Sequence, residues 1–138
     1  MRMDSIQQGR LAEQLVLRLL HRSGWQLVSQ RWFCRYGEID LLLNKRTRLL
    51  LVEVKARRCR GLDDWGLRAF DQAKRLRLCR AMNCWSAAHP RFSEHTLEVV
   101  LALVPLPLHS RPLHQRTLRS RPVRWIRVET LCLSGCSC

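Results

Sequence analysis

Acidic residues are scarce in this 138-residue chain: 11 Asp and Glu against 25 Lys and Arg, for a formal net charge of +14. A charge of that size favours polyanionic partners, nucleic acid first. No apolar run is long enough to span a bilayer, and the basic residues are spread along the chain. A membrane is therefore not an expected partner. The N-terminal stretch MRMDSIQQGRLAEQ has no apolar signal core, so a cytoplasmic protein is expected. Zinc-ligand spacing is missing too. The seven cysteines are an odd number, and Cys132, Cys136 and Cys138 have no clear fourth ligand at a zinc-finger distance. The five histidines form no pair with ligand spacing on a helix. In the cytosol the cysteines are expected to be reduced thiols, several of them buried. No internal repeat is visible.

Hydrophobic residues make up 46% of the chain, enough for one domain with one core. Asp4 or Ser5 can cap a first helix running to about His21, with Gln8 three residues after Ser5 and Gly24 as the stop signal. Leu11, Leu15, Val16, Leu19 and Leu20 recur at helical period. Trp25–Phe33 reads as extended. Ile39–Leu43 and Leu49–Val54 read as two strands around a polar turn. A basic loop follows, and then a second helix from Trp65 to about Trp85, with an apolar stripe that includes Leu67, Phe70, Ala73, Leu76 and Met82. Thr96–Val104 is the most strand-like run and is expected centrally in a sheet. The fold class is α/β, with a mixed sheet flanked by helices. Residues 1–104 form the expected α/β domain. Residues 105–138 are a basic, Pro-rich segment with an edge strand at Val123–Glu129 and a Cys-containing tail.

The scarce acids sit in an unexpected place. In GEIDLLLNKRTRLLLVEVKAR (37–57), Asp40 opens the first apolar run and Glu53 and Lys55 close the second. Alternation along a strand points Glu53 and Lys55 to one face. A hairpin turning about Arg46 and Thr47 sets Asp40 opposite Glu53; a one-residue slip would send it to the other face. Two close carboxylates need a compensating cation at neutral pH. Mg²⁺ (or Mn²⁺) accepts oxygen ligands and suits phosphodiester cleavage, with Lys55 orienting water or steadying the crowded transition state. A purely structural salt-bridge cluster is the competing reading, but buried ion pairs are a poor source of stability. On the first helix, Glu13 lies along or beside the buried stripe, with Gly9 one turn away leaving room for a close approach. It could also be half of a surface ion pair with Arg10.

Asp40, a twelve-residue gap, then Glu53-Val54-Lys55 resembles the PD-(D/E)xK nuclease signature. The blocks G-R-L-A-E at 9–13, G-E-I-D-L at 37–41 and V-E-V-K-A-R at 52–57, followed by a helix with Lys74, resemble the uncharacterised bacterial YraN-like family. That likeness covers about residues 5–104. It implies a restriction-endonuclease-like core, similar to archaeal-type Holliday junction resolvases. It also implies that Asp40, Glu53 and Glu13 are metal ligands and that these three with Lys55 are catalytic. Ile39 replaces the signature's Pro, as it does in that family. An Asp often present in the family's late strand has no direct match, and Glu98 is the nearest substitute. Related resolvases are dimers, so the resemblance also implies a homodimer.

Basic surface around an acidic patch would hold the phosphate backbone. Arg10, Arg57, Lys74 and Arg77 are the expected contacts, with Gln72 a polar addition. Trp32 and Trp65 are the tryptophans expected to be exposed, because they sit in or beside loops. The expected activity is Mg²⁺-dependent nuclease cleavage of DNA, branched or otherwise structured DNA included. Two readings stand beside it. One is a nucleic-acid-binding module that keeps the fold without cutting. The other is a scaffold that binds a protein through the segment after Val104.

Overall fold

In the computed structural model, residues 4–57, 70–106 and 123–129 are described. Helix α1 spans Ser5–Arg22. Asp4 is its cap, the carboxylate accepting from the Gln7 N–H at 2.7 Å. Gln8, Ala12, Leu15, Val16 and Leu20 form its buried face. The helix ends at Gly24, whose φ of +88° suits a residue without a Cβ. The Gly24 N–H donates to the His21 carbonyl and the Trp25 N–H to that of Leu20, a Schellman closure.

Three antiparallel strands follow: β1 (Gln26–Cys34), β2 (Gly37–Lys45) and β3 (Arg48–Arg57). The β2–β3 turn is only Arg46–Thr47, with Lys45 paired to Arg48, so both strands run further into the polar segment than their apolar runs suggest. Helix α2 (Gln72–Ala88) precedes a short 3₁₀ turn and strand β4 (Thr96–Pro105). β4 lies parallel to β3, and β5 (Arg124–Val128) closes the sheet as an antiparallel edge strand. The strand order is β1-β2-β3-β4-β5. The molecule is thus an α/β structure with a five-stranded mixed sheet flanked by helices, consistent with a nuclease-like core. No helix among the described residues is long and apolar enough to cross a membrane.

Each face of the sheet carries one core. Ala12, Leu15, Val16 and Leu20 of α1 pack with Leu41, Leu43, Leu50, Val52, Ala102 and Val104. On the other face, Leu78, Ala81, Met82 and Trp85 of α2 pack with Leu42, Leu49, Leu51, Leu101 and Leu103. Burying a leucine or valine stabilises the fold by roughly 1.5–3 kcal/mol. These two layers therefore fix the strand register on which the site depends.

Helix α2 departs from its expected bounds. Phe70 lies in a bend and Asp71 is the cap, its Oδ1 accepting from the Lys74 N–H at 2.9 Å, so the helix starts at Gln72 and not at Trp65. Ala73 and Leu76 are exposed, and the buried stripe begins at Leu78. Leu67 and Trp65 lie outside the described residues. Trp32 is half-buried against the α2-side core; the exposed tryptophan among the described residues is Trp125 on β5. Cys34 is a free thiol, whereas Cys79 is disulfide-bonded, a departure from the expectation of reduced thiols. The Cys132–Cys138 tail lies outside the described residues, as does most of the basic segment after Val104.

Candidate metal centre

Strand alternation breaks at Asp40. Leu41 and Leu43 pack on the α1 side. Leu42 packs on the α2 side, and so does Ile39, where strict alternation would place it with Leu41. Across on β1, Arg31 sits between the Gln30–Leu41 and Trp32–Ile39 pairs and has a φ of +47°. This is unusual for a residue with a side chain, and it marks a local distortion of the edge strand.

The β2–β3 register ends at Leu41–Val52, and one step further sets Asp40 opposite Glu53. There the Asp40 Oδ2 accepts from the Val54 backbone N–H at 2.9 Å. Glu53 and Lys55 share a face, with Lys55 Nζ 3.6 Å from Glu53 Oε1. Lys74 reaches the same oxygen from the first turn of α2, at 3.1 Å. The Glu53 side chain is only 3% exposed, and its second oxygen, Oε2, is buried with no hydrogen-bond partner.

Burial pushes the Asp40 carboxyl up to about 7. Repulsion by Glu53 adds to the rise, the Val54 N–H opposes it, and Glu13 contributes a smaller push upward. Glu13 is likewise raised by burial. Arg31 offsets this most, at 3.4 Å from Glu13 Oε2, followed by a hydrogen bond involving Gln30. Glu38 pushes Glu13 further up and Arg10 pulls it down. The partner of Glu13 is thus Arg31, eighteen residues away and beyond the reach of helical spacing, and not Arg10.

Two facing carboxylates, one with an orphaned buried oxygen, are hard oxygen donors of the kind that Mg²⁺ or Mn²⁺ takes, with waters completing the shell. Asp40 and Glu53 would hold such an ion. Glu13 lies near enough to Asp40 to push its carboxyl up. Among the described residues no three His, Cys, Asp or Glu side chains, Glu13 with Asp40 and Glu53 included, are grouped so as to hold a metal ion.

The remaining predicted positions are more scattered. Arg10, Gln72 and Arg77 are exposed. Arg57 is half-buried at the end of β3, donating to the Ala56 carbonyl at 3.0 Å. Lys74, expected at phosphates, stands on Glu53. Glu98 lies away from the pair. It is opposite Leu50 on β3, while Glu53 is opposite Leu101. It also binds both Arg48 and Arg127, which hold its carboxyl below the usual range. Glu98 therefore does not supply the missing late-strand acid. Near the start of the hairpin, Arg35 donates to the Tyr36 hydroxyl, and at its turn Lys45 donates to the Ser23 carbonyl at 2.6 Å. Sequence reading missed Arg31 and the Lys74–Glu53 contact. Only the net charge hinted that Glu13 and Glu53 would each find a base.

Residues 12–101 match the family model described as "Uncharacterised protein family UPF0102". A UPF0102 protein of Prochlorococcus marinus (strain MIT 9303) is 59% identical over 129 residues, covering 94% of each chain. One from Synechococcus sp. (strain CC9902) is 52% identical over 90% of this chain and 94% of its own. A more distant one from Stutzerimonas stutzeri (strain A1501) is 33% identical over 75% of this chain and 86% of its own. The chain belongs to the uncharacterised protein family UPF0102, the YraN-like family that its sequence blocks resemble.

Proposed function

We propose that this protein is a Mg²⁺- or Mn²⁺-dependent nuclease acting on DNA, with branched or otherwise structured DNA among its substrates. The observation that carries the reading is the pair Asp40 and Glu53, with Glu53 Oε2 buried and unpartnered. A chain with so few acids has spent two of them where they repel each other, which is costly without a cation. Bound there, a divalent ion would acidify an attacking water and neutralise charge on the phosphate.

The chain's own groups have distinct tasks. Asp40, tied to the Val54 N–H, and Glu53, held by its lysines, keep the ligand oxygens in place. Lys55 orients the water and faces the phosphate as a fixed point charge. Glu13 supports the pair from α1. Arg10, Arg57, Gln72 and Arg77 grip the backbone at longer range, a term that weakens with salt. This role as a nuclease of the restriction-endonuclease-like type is supported by the motif blocks as well as by the carboxylate pair.

A second reading is a non-catalytic nucleic-acid-binding module. It draws on the two lysines that already stand on Glu53 and so partly neutralise the site without metal. One experiment separates the two. Purified protein is incubated with linear, flapped, four-way and single-stranded DNA in Mg²⁺, Mn²⁺ or EDTA. Cleavage is expected only with metal, and it should disappear in Asp40→Ala and Lys55→Ala while circular dichroism stays unchanged. Full cleavage by either variant sinks the site assignment. A salt-sensitive mobility shift with no cutting of any substrate favours the binding module.

A further inference from the structure

The sequence pattern makes Lys74 an expected phosphate contact, one of several bases on a solvated helix face. Its position is different. Asp71 caps α2 through the Lys74 N–H, which fixes the first helical turn and the point from which the side chain departs. The ammonium ends 3.1 Å from Glu53 Oε1, closer than Lys55 at 3.6 Å. Lys74 is itself about a quarter exposed, while Glu53 is almost wholly buried. Both lysines use the same carboxylate oxygen, and Oε2 is left buried without a partner.

We propose that Lys74 is a positioning residue whose ammonium takes over part of a divalent ion's charge on Glu53 while no ion is bound, holding Oε1 so that Oε2 stays free to ligate. The inference rests on the metal-site reading above. Its physical basis is the cost of leaving a carboxylate unpaired in the interior. Asp40 faces Glu53 and raises that cost, and Lys55 alone, being further away, compensates it less well. An ion that binds only the folded state offers the same compensation and stabilises the protein by linkage.

The test is thermal unfolding of the full chain and Lys74→Met, each in EDTA and in Mn²⁺, without DNA. In EDTA the variant is expected to unfold several degrees lower. In Mn²⁺ it should recover most of that loss, so its Mn²⁺-induced rise exceeds that of the wild type. An unchanged unfolding temperature in EDTA overturns the proposal. So does a lower temperature with no extra Mn²⁺ rise, because Lys74 would then be only a packing partner. If the wild type itself gains nothing from Mn²⁺, the metal-site reading fails, and the stand-in role falls with it. A wild-type gain without the variant's larger one sinks the Lys74 inference alone. A double-mutant cycle guards against a variant that does not fold. In a Glu53→Gln background, Lys74→Met should cost little, and an equal or larger loss there overturns the proposal.

Discussion

Asp40 Oδ2 accepts the backbone N–H of Val54 at 2.9 Å, at the point where the β2–β3 ladder stops. A side chain of one strand has taken the N–H of its neighbour. That bond satisfies a donor at the margin of the core, and it turns the Asp40 carboxyl toward Glu53. Structural and chemical duties therefore meet in one side chain, and substitutions at Asp40 must be read on both.

The raised carboxyl of Asp40 makes stability depend on pH in a defined direction. Unfolded, this group titrates near 3.8; folded, it is pushed up to about 7. Between those values the folded state holds a proton that the unfolded state has released. This contribution to stability is therefore present at low pH and is lost as pH rises to about 7. The slope for one proton is at most about 1.4 kcal/mol per pH unit. Urea unfolding in EDTA at several pH values from 4.5 to 8 should show this decline in the wild type and a flatter profile in Asp40→Asn. Parallel profiles would contradict the assignment. Mn²⁺ should tighten over the same window, because the ligand must be ionised.

Arg31 should tune Glu13 with little effect on stability. The pair is partly exposed at 3.4 Å, so breaking it in Arg31→Met is expected to cost less than about 1 kcal/mol. Arg31 nonetheless opposes the effect of burial on Glu13. The Glu13 carboxyl, followed by NMR, should titrate at higher pH in the variant than in the wild type. An unmoved midpoint would remove Arg31 from the site's electrostatics.

Gly9 offers a simple stability test. It was expected to permit a close approach one turn from Glu13, but a Cβ built there meets nothing within 4 Å. In the interior of a helix, Gly→Ala is worth about 0.8–1 kcal/mol. Gly9→Ala should therefore raise the thermal midpoint, measured by circular dichroism. A lower midpoint would show that the space is used by the folded chain.

Several features were legible in the sequence because they are local. The Asp4 cap, the Gly24 stop and the spacing of the buried α1 residues depend on a few neighbouring side chains. The register of the hairpin about Arg46 and Thr47 follows from the chain's own symmetry of apolar runs. Helical periodicity continues upstream of α2, but the Lys74 N–H donates to Asp71, which caps the N-terminus of the helix there. Trp32 is a related case. Its place beside a turn suggested exposure, but the distortion at Arg31 puts it with Ile39 on the α2 side.

By itself, the sequence determined the α/β class, the basic surface and the carboxylates and lysine that converge on the hairpin. Composition and alternation are properties of the chain, and a two-residue turn transmits them directly to the site. Tertiary structure alone decided which base meets which acid. Arg31 found Glu13, Lys74 found Glu53, and Arg48 with Arg127 drew Glu98 away from the pair. Coulombic and hydrogen-bond partnerships act over a few ångströms of space, and no spacing along the chain specifies that distance until the sheet and both helices have packed.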